Sequence, residues 1–175
     1  MTDSRCDLLR FQFDLTWSLF EYHLERLTPA DFLWEPVSLC WTVRQDGAGA
    51  WVPDWAESEP DPVPVPTIAW LSWHIGWWWG VTLDHVRGRT PREHTEITWP
   101  GPGEPAVEGL RSLREEWLAV LDEFTGTDLD AAAPFPWPDD SGRTVAHMAG
   151  WVNSELMKNA AEIGQLRLLR TASSG

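Results

Sequence analysis

Thr67-Ile-Ala-Trp70-Leu-Ser-Trp73-His74-Ile-Gly76-Trp77-Trp78-Trp79-Gly80-Val81-Thr82-Leu83-Asp84-His85 sets five tryptophans around one central histidine. At helical spacing Trp70, His74, Trp77, Val81 and His85 follow at i, i+4, i+7, i+11 and i+15, one continuous stripe. His74 therefore points where the large aromatics point. Two roles fit: a hydrogen-bonded member of a core, or a ligand or base at the bottom of a pocket. For a lone histidine on an apolar helix face the core role is the commoner one, so a site requires partners from another helix. His85 is no such partner, because eleven residues of helix set it about 16 Å away along the axis.

Working outward, the residues before this helix read as one amphipathic helix over about 6–27, with Leu8, Phe11, Leu15, Leu19, Tyr22 and Leu27 as its apolar face. Thr28-Pro29-Ala30-Asp31 stops it and caps a short turn carrying Phe32 and Leu33. The Pro- and Trp-rich stretch 37–66 starts with a short extended piece at Trp41-Thr42-Val43-Arg44 and ends in an alternating Pro-Val run that favours extended geometry. A connection this long in a compact domain is usually functional or mobile. Trp41, Trp51 and Trp55 suggest that it folds over the bundle and covers a pocket.

The central helix is expected over 66–88. After a turn-rich break, a third helix is expected over 105–124 with Val107, Leu110, Leu113, Trp117, Val120, Leu121 and Phe124 inside. A second proline-broken loop precedes a last helix over 144–169, which turns Val145, Met148, Val152, Leu156, Ile163 and Leu166 inward, and the tail at 172–175 is expected to fray. Four such helices separated by long connections make an all-α four-helix bundle with long crossover loops, a single domain over 1–175.

Composition narrows the function. Acidic residues outnumber basic ones 27 to 13, with a formal charge of -14, so the field of the protein repels nucleic acid and anionic membrane. No uninterrupted apolar run reaches the ~18 residues of a membrane span, and the N-terminus lacks the pattern of a signal peptide, so a soluble cytoplasmic protein is expected. Two cysteines, Cys6 and Cys40, lie far apart and beside no histidine, and read as small, partly buried thiols. Fourteen tryptophans point to an aromatic pocket, an interface or a tryptophan-heavy core.

Partners for His74 lie on the last helix, where Glu155, Asn159 and Glu162 fall at i, i+4 and i+7 on the face that carries Met148, Val152 and Leu166. A carboxylate and an amide there are costly to bury unless paired, metal-bound or wet. One explanation is a mononuclear site of His74, Glu155 and Asn159 for zinc, nickel, manganese or iron, with the neutral amide the weakest ligand. The other is metal-free, with Glu155 and Asn159 hydrogen-bonded to His74 and to tryptophan N–H groups.

Two motifs, Thr67-Ile-Ala-Trp-Leu-Ser-Trp-His74-Ile-Gly and Trp151-Val-Asn-Ser-Glu155-Leu-Met-Lys-Asn159-Ala-Ala-Glu162-Ile-Gly, carry a family likeness. The chain resembles the DinB-like four-helix-bundle superfamily, which also contains the mycothiol-dependent maleylpyruvate isomerases and bacillithiol-transferase-like proteins. The resemblance implies a DinB/YfiT-like metalloenzyme fold, in which one histidine of the second helix and an HxxxH pair of the last bind a divalent metal. His74 matches the first ligand, and Glu155 and Asn159 fall where the pair would stand.

The chemistry implied by the resemblance is thiol transfer or thiol-assisted isomerisation, the metal lowering the pKa of a low-molecular-weight thiol. His74 and Glu155 are then the catalytic candidates. Without metal, a glutamate in an apolar pocket has a raised pKa and serves with His74 as general acid or base. Trp41, Trp70, Trp77, Trp151 and Glu162 are expected to line the pocket. The alternative is a non-catalytic binding protein that holds a small-molecule ligand there without metal, and a homodimer through tryptophan-rich surface is a further expectation.

Overall fold

The computed structural model describes residues 4–173. The ends of the expected 1–175 domain, including the last two residues of the tail expected to fray, lie outside the described residues. Six helices and four short strands follow in chain order: α1 (Ser4–Leu24), α2 (Pro29–Phe32), β1 (Cys40–Trp41), β2 (Val43–Gln45), β3 (Trp51–Pro53), β4 (Val65–Pro66), α3 (Ile68–Val86), α4 (Glu104–Glu123), α5 (Gly126–Asp130) and α6 (Val145–Ser173). The four long helices are those expected, with ends displaced by a few residues.

The main packing pairs are α1 with α6, α6 with α3, α3 with α4, and α4 with α1. In the ring these pairs make, α1 and α3 are diagonal, and so are α4 and α6. A chain crossing a bundle diagonally needs a long connection, which accounts for the loops at 25–67 and 124–144. The result is an all-α bundle with crossover loops. No helix among the described residues is long and apolar enough to cross a membrane.

The apolar face of α1 differs from the one expected. Leu8, Phe11, Leu15, Leu19 and Tyr22 are exposed, whereas Leu9, Phe13, Thr16, Trp17, Phe20 and Leu24 are buried. Both sets have helical spacing, so periodicity alone did not choose between them. Core packing did: the face with three large rings turns inward, where Phe13 and Trp17 meet Trp79 with centroids 5.8 and 6.3 Å away. The inner residues expected for α6 are all buried, as are Val107, Leu110, Trp117, Val120 and Leu121 of α4.

Helix α3 is apolar around most of its circumference, which suits a helix covered on every side. Its bundle face meets α4 and α6, and loops cover the rest. Trp73 donates its indole N–H to the Ile97 carbonyl at 3.1 Å, and Trp99 donates to the Ser72 hydroxyl at 2.9 Å. Thr67 caps the helix by accepting from the Trp70 backbone N–H at 3.2 Å. The same residue donates its own backbone N–H to the Trp41 carbonyl at 2.8 Å, where β1 and β4 pair in parallel. Capping and strand pairing thus fix the first crossover to the start of α3.

At the other end of α3, Asp84 is buried and ion-paired to Arg89 at 2.9 Å and Arg92 at 2.7 Å. Removing the carboxylate leaves two guanidinium groups without their shared partner. The arginines are half exposed, so Asp84→Ala is expected to cost about 2–3 kcal/mol rather than the full loss of a buried pair. Urea denaturation checks this, and a loss below about 0.5 kcal/mol would show that water replaces the carboxylate freely.

Candidate functional site

A cavity of about 450 Å³ opens beside His74, between the outer face of α3, the middle of α6 and the first crossover loop. Trp41, Trp70, Trp77, His74, Asn159 and Glu162 line it as the sequence suggested, joined by Trp55, Glu57, Glu59 and Lys158. Loop residues from 55 to 66 form one wall. The first crossover therefore covers a pocket.

The wall is built from stacked rings. Trp41 stacks on Trp70 at 4.9 Å, and Trp70 on His74 at 4.8 Å with only 12° between planes. The second contact follows from i, i+4 spacing on α3, and the first from the pairing of β1 with β4. Asp54 holds the stack in place: its carbonyl accepts the Trp70 indole N–H at 2.8 Å, and its carboxylate accepts the Thr42 backbone N–H at 2.8 Å. Arg44 closes on that carboxylate at 2.7 Å. Across the cavity Trp55 meets Trp77 edge-on, with centroids 5.0 Å apart and planes at 89°.

His74 sits in this wall with its Nδ1 buried and without a hydrogen-bond partner, which leaves Nε2 as the accessible ring nitrogen. Burial pushes its pKa down to about 4, and the nearby Lys158 ammonium adds a smaller push in the same direction. The ring is therefore neutral at pH 7. A base so weak removes protons inefficiently near neutrality, whereas a neutral imidazole can accept a hydrogen bond or serve as a ligand.

Asn159 is fully buried, and both ends of its amide are engaged. The Trp78 indole donates to its Oδ1 at 3.1 Å, and its Nδ2 donates to the Glu162 carboxylate at 2.9 Å. An indole can only donate and a carboxylate only accept, so these two partners fix the orientation of the amide. Asn159 thereby ties α3 to α6 and holds Glu162 at the cavity.

Glu155 takes a different partner. It is ion-paired to Lys158 at 2.9 Å, one turn along α6, and is not among the residues lining the His74 cavity. Trp151 also lies outside the lining, packed edge-on against Trp78 at 5.4 Å. Among the described residues no three His, Cys, Asp or Glu side chains form a group able to hold a metal ion. The donors at His74, Glu155 and Asn159, with the amide oxygen already accepting from Trp78 and the carboxylate paired with Lys158, are not arranged for three-point coordination. Of the remaining histidines, His147 accepts the Thr144 backbone N–H at 3.1 Å at the start of α6, a capping role.

The DinB superfamily profile matches residues 12–163, from within α1 to within α6, and so includes residues of all four long helices. The chain belongs to the DinB superfamily. No curated protein and no solved structure matches it. Within this DinB-superfamily chain, Glu57, Glu59 and Lys158 are the charged cavity residues that spacing did not reveal. Glu57 and Glu59 come from a loop without periodicity. Lys158 is the single lysine of the chain, which was the available signal.

The neutral His74 predicts a pH effect. The folded ring, at about 4, binds a proton less readily than the unfolded ring at 6.5, so the unfolded chain holds more protons between those values. Stability from this group is full above pH 6.5 and falls as pH drops toward 4. From pH 7 to 5 the wild type is expected to lose about 1–2 kcal/mol more than His74→Gln, measured by denaturation at each pH. Equal losses would contradict a buried neutral imidazole.

Proposed function

We propose that the chain binds a small organic molecule in the tryptophan-lined cavity beside His74, using aromatic surface and the Glu162 carboxylate rather than a metal-bound thiol. The observation that carries this reading is the double engagement of Asn159, to Trp78 and Glu162, which uses the amide inside the protein while holding a carboxylate at the cavity. A cavity of about 450 Å³ falls within the range of small-molecule sites, roughly 300–1,000 Å³. Tryptophan walls that carry fixed polar groups are a common composition of such sites.

A second reading keeps a divalent metal at His74 and Glu155 and a low-molecular-weight thiol as co-substrate. The neutral, accessible Nε2 of His74 favours it, since a metal requires an unprotonated imidazole. It requires Glu155 to leave Lys158 and turn toward His74.

The neutral dye N-phenylnaphthylamine, titrated into tag-free protein with detection by tryptophan-to-dye energy transfer, separates the two. Saturable binding that is weakened about ten-fold by Trp77→Leu and unchanged by a chelator is the expected result. Absence of dye binding, together with stoichiometric zinc, nickel or manganese that is lost in His74→Ala and in Glu155→Ala, would replace the first reading by the second.

A further inference from the structure

The charge and shape of the cavity narrow the class of its ligand. Three glutamates, Glu57, Glu59 and Glu162, line it, and among the described residues none of the three has an ion-pair partner. They do not gather with His74 into a group able to hold a metal ion. The one cationic side chain in the lining, Lys158, is paired with Glu155. His74 contributes no charge at neutral pH. Three carboxylates against one ammonium leave the lining net negative, with Glu57 and Glu59 on its exposed loop side and Glu162 half-buried, in a molecule whose formal charge is already -14.

This charge lies beside aromatic surface. Trp55 and Trp77 form a right-angled corner, each backed on one face, Trp55 by His94 at 4.2 Å and Trp77 by Trp73 at 6.0 Å, and the Trp41–Trp70–His74 stack lines the same space. The faces of indole rings carry negative electrostatic potential, so a corner of tryptophans attracts a cation whose charge is diffuse and whose surface is apolar. A compact, strongly hydrated ion gains little there. An alkylated ammonium gains from ring faces and carboxylates together, because its methyl groups lie against the indoles without needing hydrogen-bond acceptors. An anionic ligand would meet repulsion from all three carboxylates. A neutral apolar ligand would leave the charge of Glu162 unused.

We infer that the cavity is a binding site for a small organic cation of the alkylated-ammonium class, with the Trp55–Trp77 corner receiving the methylated nitrogen and Glu162, held by Asn159, supplying a counter-charge fixed in position. This rests on the proposal that the cavity binds a small organic molecule. The role of Asn159 is positioning: it touches the carboxylate, not the ligand.

The test compares choline with dimethylbutanol, its uncharged isostere in which carbon replaces the quaternary nitrogen, by calorimetric titration of the full chain. Choline is expected to bind at least about ten-fold more tightly than dimethylbutanol. Glu162→Gln is expected to weaken choline by about ten-fold and leave the isostere unchanged, while Trp77→Leu weakens both. Near-ultraviolet circular dichroism of each variant shows whether its tryptophan packing is retained, and Glu162→Asp, which keeps the charge, is expected to recover part of the loss. Equal affinity for the two compounds, or binding of N-phenylnaphthylamine but not of choline, would overturn the cation class and leave the cavity as a binding site for neutral molecules. Failure of all three compounds to bind would overturn the binding proposal itself.

Discussion

The site depends on one buried amide. Asn159 lies at the contact between α6 and α3, and its two ends are joined to groups that cannot exchange roles: the Trp78 indole N–H on one side and the Glu162 carboxylate on the other. In a dry interior each of these polar groups would be expensive to leave unpaired, so the three are held in one arrangement. That arrangement carries the Trp78 side chain from the tryptophan run of α3 into α6. It also sets Glu162 at the mouth of the cavity instead of letting it swing into solvent.

The aromatic wall has a separate origin. The bundle joins α1 to α3 along a diagonal, which forces a long crossover, and that crossover is pinned where Thr67 caps α3 and where Asp54 accepts the Trp70 indole. Trp41 and Trp55 come to the cavity through these anchors. The neutrality of His74 then follows from enclosure: a ring stacked on Trp70 and shielded by the crossover has too little water around it to hold a proton at pH 7. Topology, loop anchoring and the protonation state of one imidazole are consecutive steps of one cause.

The sequence made the bundle legible because α3, α4 and α6 each have one face that is distinctly apolar or, for α3, almost no polar face at all. Helix α1 was misread because it has two apolar stripes, and only the fit of Phe13, Trp17 and Phe20 against Trp79 decides between them. At the site, the i, i+4, i+7 spacing placed Glu155, Asn159 and Glu162 on one face of α6, since helical spacing fixes which residues share a face, and Asn159 and Glu162 line the cavity that His74 also lines. It could not show that Glu155 turns to Lys158, because an ion pair one turn along a helix competes with any partner across the bundle. Trp55 is flagged by the composition of its loop rather than by spacing, and its place against Trp77 depends on tertiary anchors of a loop that has no period. Among the described residues Trp55, at 38%, is the most exposed of the tryptophans.

In the proposed site, His74, Asn159 and Glu162 belong to an aromatic, hydrogen-bonded pocket rather than a metal centre. Anomalous diffraction at the zinc edge, from crystals of tag-free protein soaked in zinc, tests it most directly. No ordered zinc is expected within coordination distance, about 2.1 Å, of the His74 ring, with Asn159 still bonded to Trp78 and Glu162. A fully occupied zinc bound to His74 and joined by Glu155 or by the Asn159 oxygen would contradict it.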